Sequence, residues 1–452
     1  MTFIILSPYG IILFVFIQIF RVGVHMISDE LILYRNSIQQ RLLSDLVTLF
    51  DGDADADLAH DTAGRLVSFS MEMGFRGDLW HVFLTYFLAN DENAFSKACE
   101  LRGHVEGTIN DIALHDMGIF YKMFNYDLAD LDGRYKMDCF SPLKSFDMND
   151  EGHMFNKRIR DRIEELSDSL AGASDPSEMK VLIEAFYKDC GVGMFGLHKA
   201  FKIHENPADN TFFIEPIRRV AHMNLEDLVG YEIQKEKLKT NTEAFIKGLP
   251  ADNCLLYGDS GTGKSSSVKG IMNRYYEDGI RIIELYKHQL IYLHDVLALL
   301  KERNYRFIIY MDDLSFEDQE TEYKYLKAIV EGGLEKKPPN VLIYATSNRR
   351  HLIHEGFSDR LDRSDTDDLH ESDTVEEKLS LYHRFGLTIY YGKPTPKEYR
   401  HIVTELAARH HIDMNEDELI RGAHQFEIEH GGFSGRAASQ FIDSLLVDAG
   451  RS

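Results

Sequence analysis

Cysteine is scarce. Cys99, Cys139, Cys190 and Cys254 are the only four in 452 residues, they lie far apart, and no C-x-x-C pair occurs. That usage excludes a disulfide framework and suits the reducing cytoplasm. Positive charge is also short, and the formal net charge is −24. Such an imbalance disfavours long-range attraction to nucleic acid or an anionic membrane, and no helix-turn-helix or basic stripe stands against it. No period marks internal repeats. What remains is a chain of ordinary globular composition, long enough for about three domains.

One long apolar run breaks the pattern. Phe3 to Phe20 is apolar except for Ser7, Pro8, Tyr9, Gly10 and Gln18, and Arg21 follows. It sits near the lower length limit for a spanning helix. It lacks the charged start and small-residue cleavage site of a secretory signal. Residues 1–25 therefore keep three readings: a membrane anchor, a buried helix, or an upstream extension with translation starting at Met26. A cytoplasmic location is expected, or a membrane-anchored protein with its remainder in the cytoplasm. Membrane contact is expected only through residues 3–20.

Residues 26–203 read as a helical domain, with Leu31, Leu33, Ile38, Leu42, Leu43, Leu46 and Leu49 near helical spacing. Large apolar residues such as Trp80, Phe83, Phe87 and Phe120 read as core. Asp51, Asp53, Asp55 and Asp57 alternate as in a calcium loop, but Ala56 and Thr62 stand where glycine and glutamate are needed. An acidic surface loop is expected there. Gly191, Gly193 and Gly196 meet G-x-G-x-x-G without a preceding strand, so a tight turn between packed helices is expected. Residues 204–223, with Pro207 and Pro216, read as a linker. From 224 to 393, strand-like stretches (280–285, 307–311, 341–345, 387–391) alternate with helical ones, as in a parallel sheet flanked by helices. Residues 394–452 read as a compact helical segment, with helix starts at Thr395, Asn415 and Ser434.

The centre of this organisation is Asp252 to Ser265, DNCLLYGDSGTGKS. Cys254 to Tyr257 read as a strand that breaks into Gly-x4-Gly-Lys-Ser at Gly258, Gly263, Lys264 and Ser265. The glycines let the backbone wrap so that N–H groups point at phosphates. The lysine supplies a charge to the β- and γ-phosphates, and the serine hydroxyl ligates Mg²⁺. Gly258, Asp259, Ser260, Gly261, Thr262, Gly263, Lys264, Ser265 and Ser266 are therefore the expected nucleotide-binding loop, with ATP and Mg²⁺ as ligands. Phe307-Ile-Ile-Tyr-Met ends in Asp312-Asp313, 48 residues beyond Lys264. A strand end of this kind supplies a carboxylate to the metal. Asp312 and Ser265 are expected to hold Mg²⁺, with Asp313 and Asn348 positioning water.

From about Asn224 to the C-terminus these residues resemble the AAA+ superfamily of ring-forming ATPases. Leu228-Val229-Gly230 is similar to its adenine-side box, Gly258 to Ser265 to Walker A, Asp312-Asp313 to Walker B, and Asn348 to sensor 1. His383-Arg384-Phe385-Gly386 resembles the box that lends an arginine finger to a neighbouring subunit, and Ser434-Gly435-Arg436 resembles sensor 2. More narrowly, DDLSFE (312–317), EGGLE (331–335), YATSNRRHL (344–352) and HRFGL (383–387) are similar to a bacterial family called domain of unknown function 815. The resemblance implies an α/β P-loop NTPase: a parallel sheet sandwiched by helices, with a small C-terminal helical lid, preceded by a mostly α-helical domain. It also implies a homo-oligomer, as a ring or partial ring. Arg384 then acts across a subunit boundary, and Arg436 acts from the lid.

One departure concerns rate. Asp313 stands where many AAA+ proteins carry glutamate, one methylene longer; Glu317 is an alternative, and hydrolysis is expected to be slow if neither aims well. Arg360 and Arg363 are alternative fingers in an acidic stretch. Three functions fit. One is an ATPase that remodels or switches an unidentified protein partner through the helical domain. Another is a DNA-associated loader or initiator, which the acidic charge disfavours. The third is a non-ring nucleotide sensor or kinase, which leaves the Arg384 box and the lid unexplained. The first is the expectation.

Overall fold

Apolar residues at helical spacing fold the N-terminal half into α1 (Gln40–Asp51), α2 (Ala56–Met73), α3 (Leu79–Asn90), α4 (Ala94–Arg102), α5 (Thr108–Phe124), α6 (Leu128–Tyr135), α7 (Lys157–Ala171) and α8 (Pro176–Cys190). The structure is a computed structural model, which describes residues 27–35, 40–52, 54–148, 156–206, 211–218, 220, 223–316, 322–331, 337–348 and 384–449. The segment 1–25 lies outside them. Among the described residues, no helix is long and apolar enough to cross a membrane.

The described residues fall into two compact units. One takes 27–88, 106–148 and 163–182; the other takes 89–105, 156–162 and the chain from 183 onwards. In the first unit, Trp80, Phe83, Phe87 and Phe120 are fully buried, as their size and spacing imply. The Trp80 indole N–H donates to the Met123 carbonyl at 2.7 Å, which satisfies the polar atom of that ring. The alternating aspartates have a local explanation. Asp55 caps α2 by accepting from the Leu58 N–H, and Asp51 closes α1. Asp53 lies outside the described residues.

The second unit is built on a seven-stranded sheet in the order β2-β1-β4-β5-β6-β3-β7. Its strands are β1 (Ala200–Asn206), β2 (Thr211–Pro216), β3 (Cys254–Gly258), β4 (Ile280–Glu284), β5 (Arg306–Met311), β6 (Val341–Ser347) and β7 (Leu387–Tyr391). All neighbours are parallel except the β1–β2 hairpin. Side chains alternate between the faces with the period of two that a strand imposes. Phe307, Ile309, Val341 and Ile343 face one way, against α12 (Leu293–Leu300) and α13 (Tyr323–Glu331). Ile308, Tyr310, Leu342 and Tyr344 face the other, against α10 (Glu232–Ile246) and α11 (Lys264–Tyr275). Both faces are covered, so the strands read as unbroken apolar runs. This is the α/β P-loop architecture.

The lid packs three helices, α14 (Pro396–Arg409), α15 (Glu416–Glu429) and α16 (Gly435–Ala449), around Tyr399, Val403, Phe441 and Ile442. Its helix starts follow their sequence signals. Thr395 and Glu398 form a capping box, Asn415 accepts from the Asp417 N–H, and Ser434 accepts from the Ala437 N–H.

Two expected boundaries need correction. The segment 204–223 is not simply a linker. His204–Asn206 continue β1, Thr211–Pro216 form β2, and the hairpin lengthens the sheet at one edge. Phe201 and Ile203 alternate with Lys202 and His204, so β1 carried a strand signal that the prolines at 207 and 216 obscured. β1 also pairs in parallel with β4, which buries Phe201. The helical domain likewise does not run unbroken to 203, because 89–105 and 183–203 belong to the sheet's unit. An ion-pair cluster joins these stretches to the sheet's unit. Arg303 donates to Glu92 at 2.7 Å, to Glu100 at 3.0 and 3.1 Å and to the Val192 carbonyl at 2.8 Å. Burial opposes its charge, but Glu100 and Glu92 outweigh that and hold the guanidinium above its ordinary pKa.

The G-x-G-x-x-G run lies against the same cluster, with Gly191 just after α8 and Gly193 and Gly196 within the short helix α9 (Gly193–Leu197). Gly191 has φ +80°, and a Cβ there would meet the Tyr305 hydroxyl at 1.2 Å. A tight turn is what the structure contains. Gly191→Ala is expected to destabilise the sheet-bearing unit by roughly 2–5 kcal/mol through strain and overpacking. Gly64→Ala, at an exposed position of α2 with nothing within 4 Å of the added carbon, should instead gain about 0.5–1 kcal/mol. Urea denaturation of both variants tests the contrast.

Candidate nucleotide site

β3 delivers the phosphate-loop sequence to the edge of the sheet where its parallel neighbours also end. Gly258 has φ +134°, and a Cβ there would lie 2.1 Å from the Tyr391 carbonyl oxygen of β7. Only glycine lets the loop leave the strand this close to its neighbour. The loop closes into α11 at Gly263, so the helix N-terminus with its free N–H groups faces the loop's interior.

Lys264 is 6% exposed, and its ammonium donates to the carbonyls of Gly258 (3.0 Å) and Asp259 (2.6 Å) and to the Asn348 side-chain oxygen (2.9 Å). Burial pulls it below the usual lysine range, against the opposing charges of Asp259, Asp313 and Asp312. The Ser265 hydroxyl donates to Asp312 at 2.7 Å, and Thr346 donates to the same carboxylate oxygen at 2.6 Å. Burial raises the Asp312 carboxyl, but the hydroxyls more than compensate and hold it below the ordinary carboxylate range. The Asn348 amide donates to Asp313 at 2.7 Å. Lys264, Asn348 and Asp313 thus form one chain of hydrogen bonds.

A cavity of about 490 Å³ opens above these groups, within the usual size of a small-molecule site. Its polar end is Ser260 to Ser266 with Asp312, Asp313 and Asn348. Its apolar end is Leu228, Val229, Ile402 and Leu406, and the lid closes one side with Arg436, Ser439 and Gln440. The Arg436 backbone N–H donates to the Gly261 carbonyl at 3.1 Å, so α16 begins against the loop. An anion-binding end, with Lys264 and the loop N–H groups, beside an apolar slot fits a phosphorylated ligand with a flat base. Paired oxygens of Ser265 and Asp312 beside the loop's N–H groups suit a hard divalent cation held jointly with phosphates.

Most of the expected site residues converge here. Gly258 and Asp259 form the root of the loop outside the cavity wall, and Gly230 follows Val229 with φ +82°. Arg384 stands apart, exposed in the turn before β7. Glu317, Arg349, Arg350, His351, Arg360, Arg363 and His383 lie outside the described residues. Thr346, Ile402, Leu406, Ser439 and Gln440 were not anticipated. Thr346 carried a signal, since it lies two residues before Asn348 on the same side of a strand. Ser439 and Gln440 carried a weaker one, at three and four residues beyond Arg436 on one helix face.

Residues 197–449 match the family described as protein of unknown function, DUF815. The chain belongs to this family. No curated protein matches it. The Thermotoga maritima RuvB Holliday junction branch migration motor is similar over part of its length. It is 16% identical, covers 49% of this chain and 72% of its own, and has a TM-score of 0.32. A mutant of Thermotoga maritima RuvB is 18% identical over 49% of this chain, with a TM-score of 0.35. The DUF815 chain spans 64% of that mutant's length. In this DUF815 member the sheet order β4-β5-β6-β3-β7 with a three-helix lid is an α/β P-loop arrangement.

The Asp259 carboxylate accepts the Lys393 N–H at 3.0 Å, tying the loop to the connection between β7 and the lid. Asp259→Ala should speed hydrogen exchange at the Lys393 amide by about five- to tenfold, the equivalent of roughly 1 kcal/mol. Unchanged protection would mean that other contacts hold the connection.

Proposed function

We propose that the protein binds ATP with Mg²⁺ in this cavity, hydrolyses it, and couples the cycle to remodelling or switching of a protein partner as a homo-oligomer. The observation that carries this reading is the meeting of Lys264, Ser265, Asp312, Asp313, Asn348 and Arg436, from four separate segments, around one cavity. Phosphoryl transfer asks a protein mainly for positioning and charge stabilisation, and these are the groups that give both. The loop N–H groups and Lys264 hold the phosphates. Ser265 and Asp312 hold the metal, which neutralises charge shared between the β- and γ-phosphates. Asp313 and the Asn348 amide orient the attacking water, and Arg436 adds positive charge from the lid. The Leu228–Val229 and Ile402–Leu406 walls take the base.

Arg384 supports the oligomer. It precedes β7 at Leu387, which pairs with Cys254 at the start of β3, whereas the phosphate loop follows the end of β3. A strand of this length separates the two by about 17 Å at roughly 3.3 Å per residue. Arg384 therefore serves the site of a second copy, where an arginine finger is worth about 10³-fold or more in turnover. The helical N-terminal unit, rich in buried aromatics and remote in sequence from the loop, is assigned to partner recognition.

Lys264→Ala should weaken ATP binding by roughly 10- to 100-fold, the worth of a charge-assisted bond to phosphate. Tight binding by this variant would overturn the loop assignment. Arg384→Ala should cut turnover by about 10³-fold and leave ATP binding intact. Mixing it with an Asp312→Ala protomer should partly restore activity, and a mixture that stays inactive would count against action across subunits. Light scattering with and without ATP measures the assembly directly.

A further inference from the structure

The turn after β5 hangs on one residue. Asp312, Asp313 and Leu314 are successive residues, and each hydrogen-bonds to Thr346 of β6. The Thr346 hydroxyl donates to the Asp312 carboxylate at 2.6 Å and accepts the Asp313 N–H at 2.9 Å. Its carbonyl accepts the Leu314 N–H at 2.7 Å. Thr346 is 1% exposed, so little water reaches its own hydroxyl and carbonyl, whereas the side chains of Asp312 and Asp313 open to the cavity. A hydroxyl has one proton, so accepting from Asp313 and donating to Asp312 fixes its orientation. Asp313 adopts φ +51°, a left-handed conformation that a non-glycine residue rarely takes without external restraint.

We propose that Thr346 is the positioning residue that aims both carboxylates of the site. Through its proton it turns Asp312 towards Ser265. Through its lone pair it pins the Asp313 backbone in the left-handed conformation from which the carboxylate meets Asn348. Strand β6 is thereby more than a spacer between β3 and β5, because it carries the groups that couple the metal-holding carboxylate to the water-positioning one. The proposal rests on the ATP–magnesium reading of the cavity.

Thr346→Val keeps the shape and removes both hydrogen bonds. ATP binding is measured by calorimetry in magnesium and in EDTA, alongside thermal melting. The valine variant should lose about tenfold or more of the affinity gained from magnesium, the usual cost of removing a group that orients a ligand. Its affinity in EDTA should match the wild type. Thr346→Ser, which restores the hydroxyl, should recover the magnesium-dependent gain; Thr346→Ala replaces the valine variant if its melting shows a packing defect. Wild-type magnesium dependence in the hydroxyl-free variant would overturn the proposal. So would an equal loss in EDTA, or a serine variant that behaves like valine. A wild-type protein that binds no ATP, or binds it without regard to magnesium, would overturn the reading of the cavity itself and the clamp with it, and that outcome is seen before any substitution is made.

Discussion

Strand β3 is hydrogen-bonded on one side to β6 and on the other to β7, in parallel and with fixed register. Tyr257 lies opposite Ser347, and Gly258 lies opposite Tyr391. Everything at the site depends on that placement. The phosphate loop, the Thr346–Asn348 tip and the connection to the lid come from widely separated parts of the sequence, yet they leave the sheet at one edge. A slip of one residue in β3 would exchange its two faces and carry the apolar side chains to the wrong layer. Burial on both faces therefore fixes the geometry of the site, and the loop inherits its precision from the core beneath it.

The phosphate loop, the paired aspartates and the helix starts of the lid were legible in the sequence because each depends on local spacing. Glycine at sharp turns, carboxylates after an apolar strand and Thr-Pro-Lys-Glu at a helix start act within a few residues. Two other features were not legible, because they depend on pairing at a distance. The hairpin of β1 and β2 exists because β1 finds β4, and Pro207 and Pro216 looked locally like loop punctuation. The attachment of residues 89–105 to the sheet's unit depends on Arg303 meeting Glu92 and Glu100 some two hundred positions earlier. Thr346 falls between the cases. Its strand was recognisable, but its partners lie in a turn that only the fold brings near.

The imbalance of charge has a structural side as well. Arg281 and Arg303 are both almost fully buried. Arg281 stacks 4.1 Å from the Tyr276 ring and 4.3 Å from the Tyr305 ring and donates to the carbonyls of Phe195 and Tyr276. Burial draws its pKa down, but carbonyl oxygens and aromatic faces remain as partners for the cation. Two of the scarce cations are thus used inside the molecule.

Tyr391 ends β7 with its carbonyl, hydroxyl and ring all engaged. Its carbonyl accepts the Asp259 N–H, its hydroxyl meets Ser267 of α11 at 2.9 Å, and its ring stacks on Tyr231. The next carbonyl, of Gly392, accepts the Tyr231 hydroxyl, and the Lys393 N–H is held by Asp259. The backbone is therefore anchored up to the residue before Pro394, and the capping box of α14 begins at Thr395. The pivot left to the lid is scarcely two residues long, with proline fixing one torsion. Any turning of the three lid helices relative to the sheet is confined to that short joint, which sets the range open to Arg436 at the head of α16.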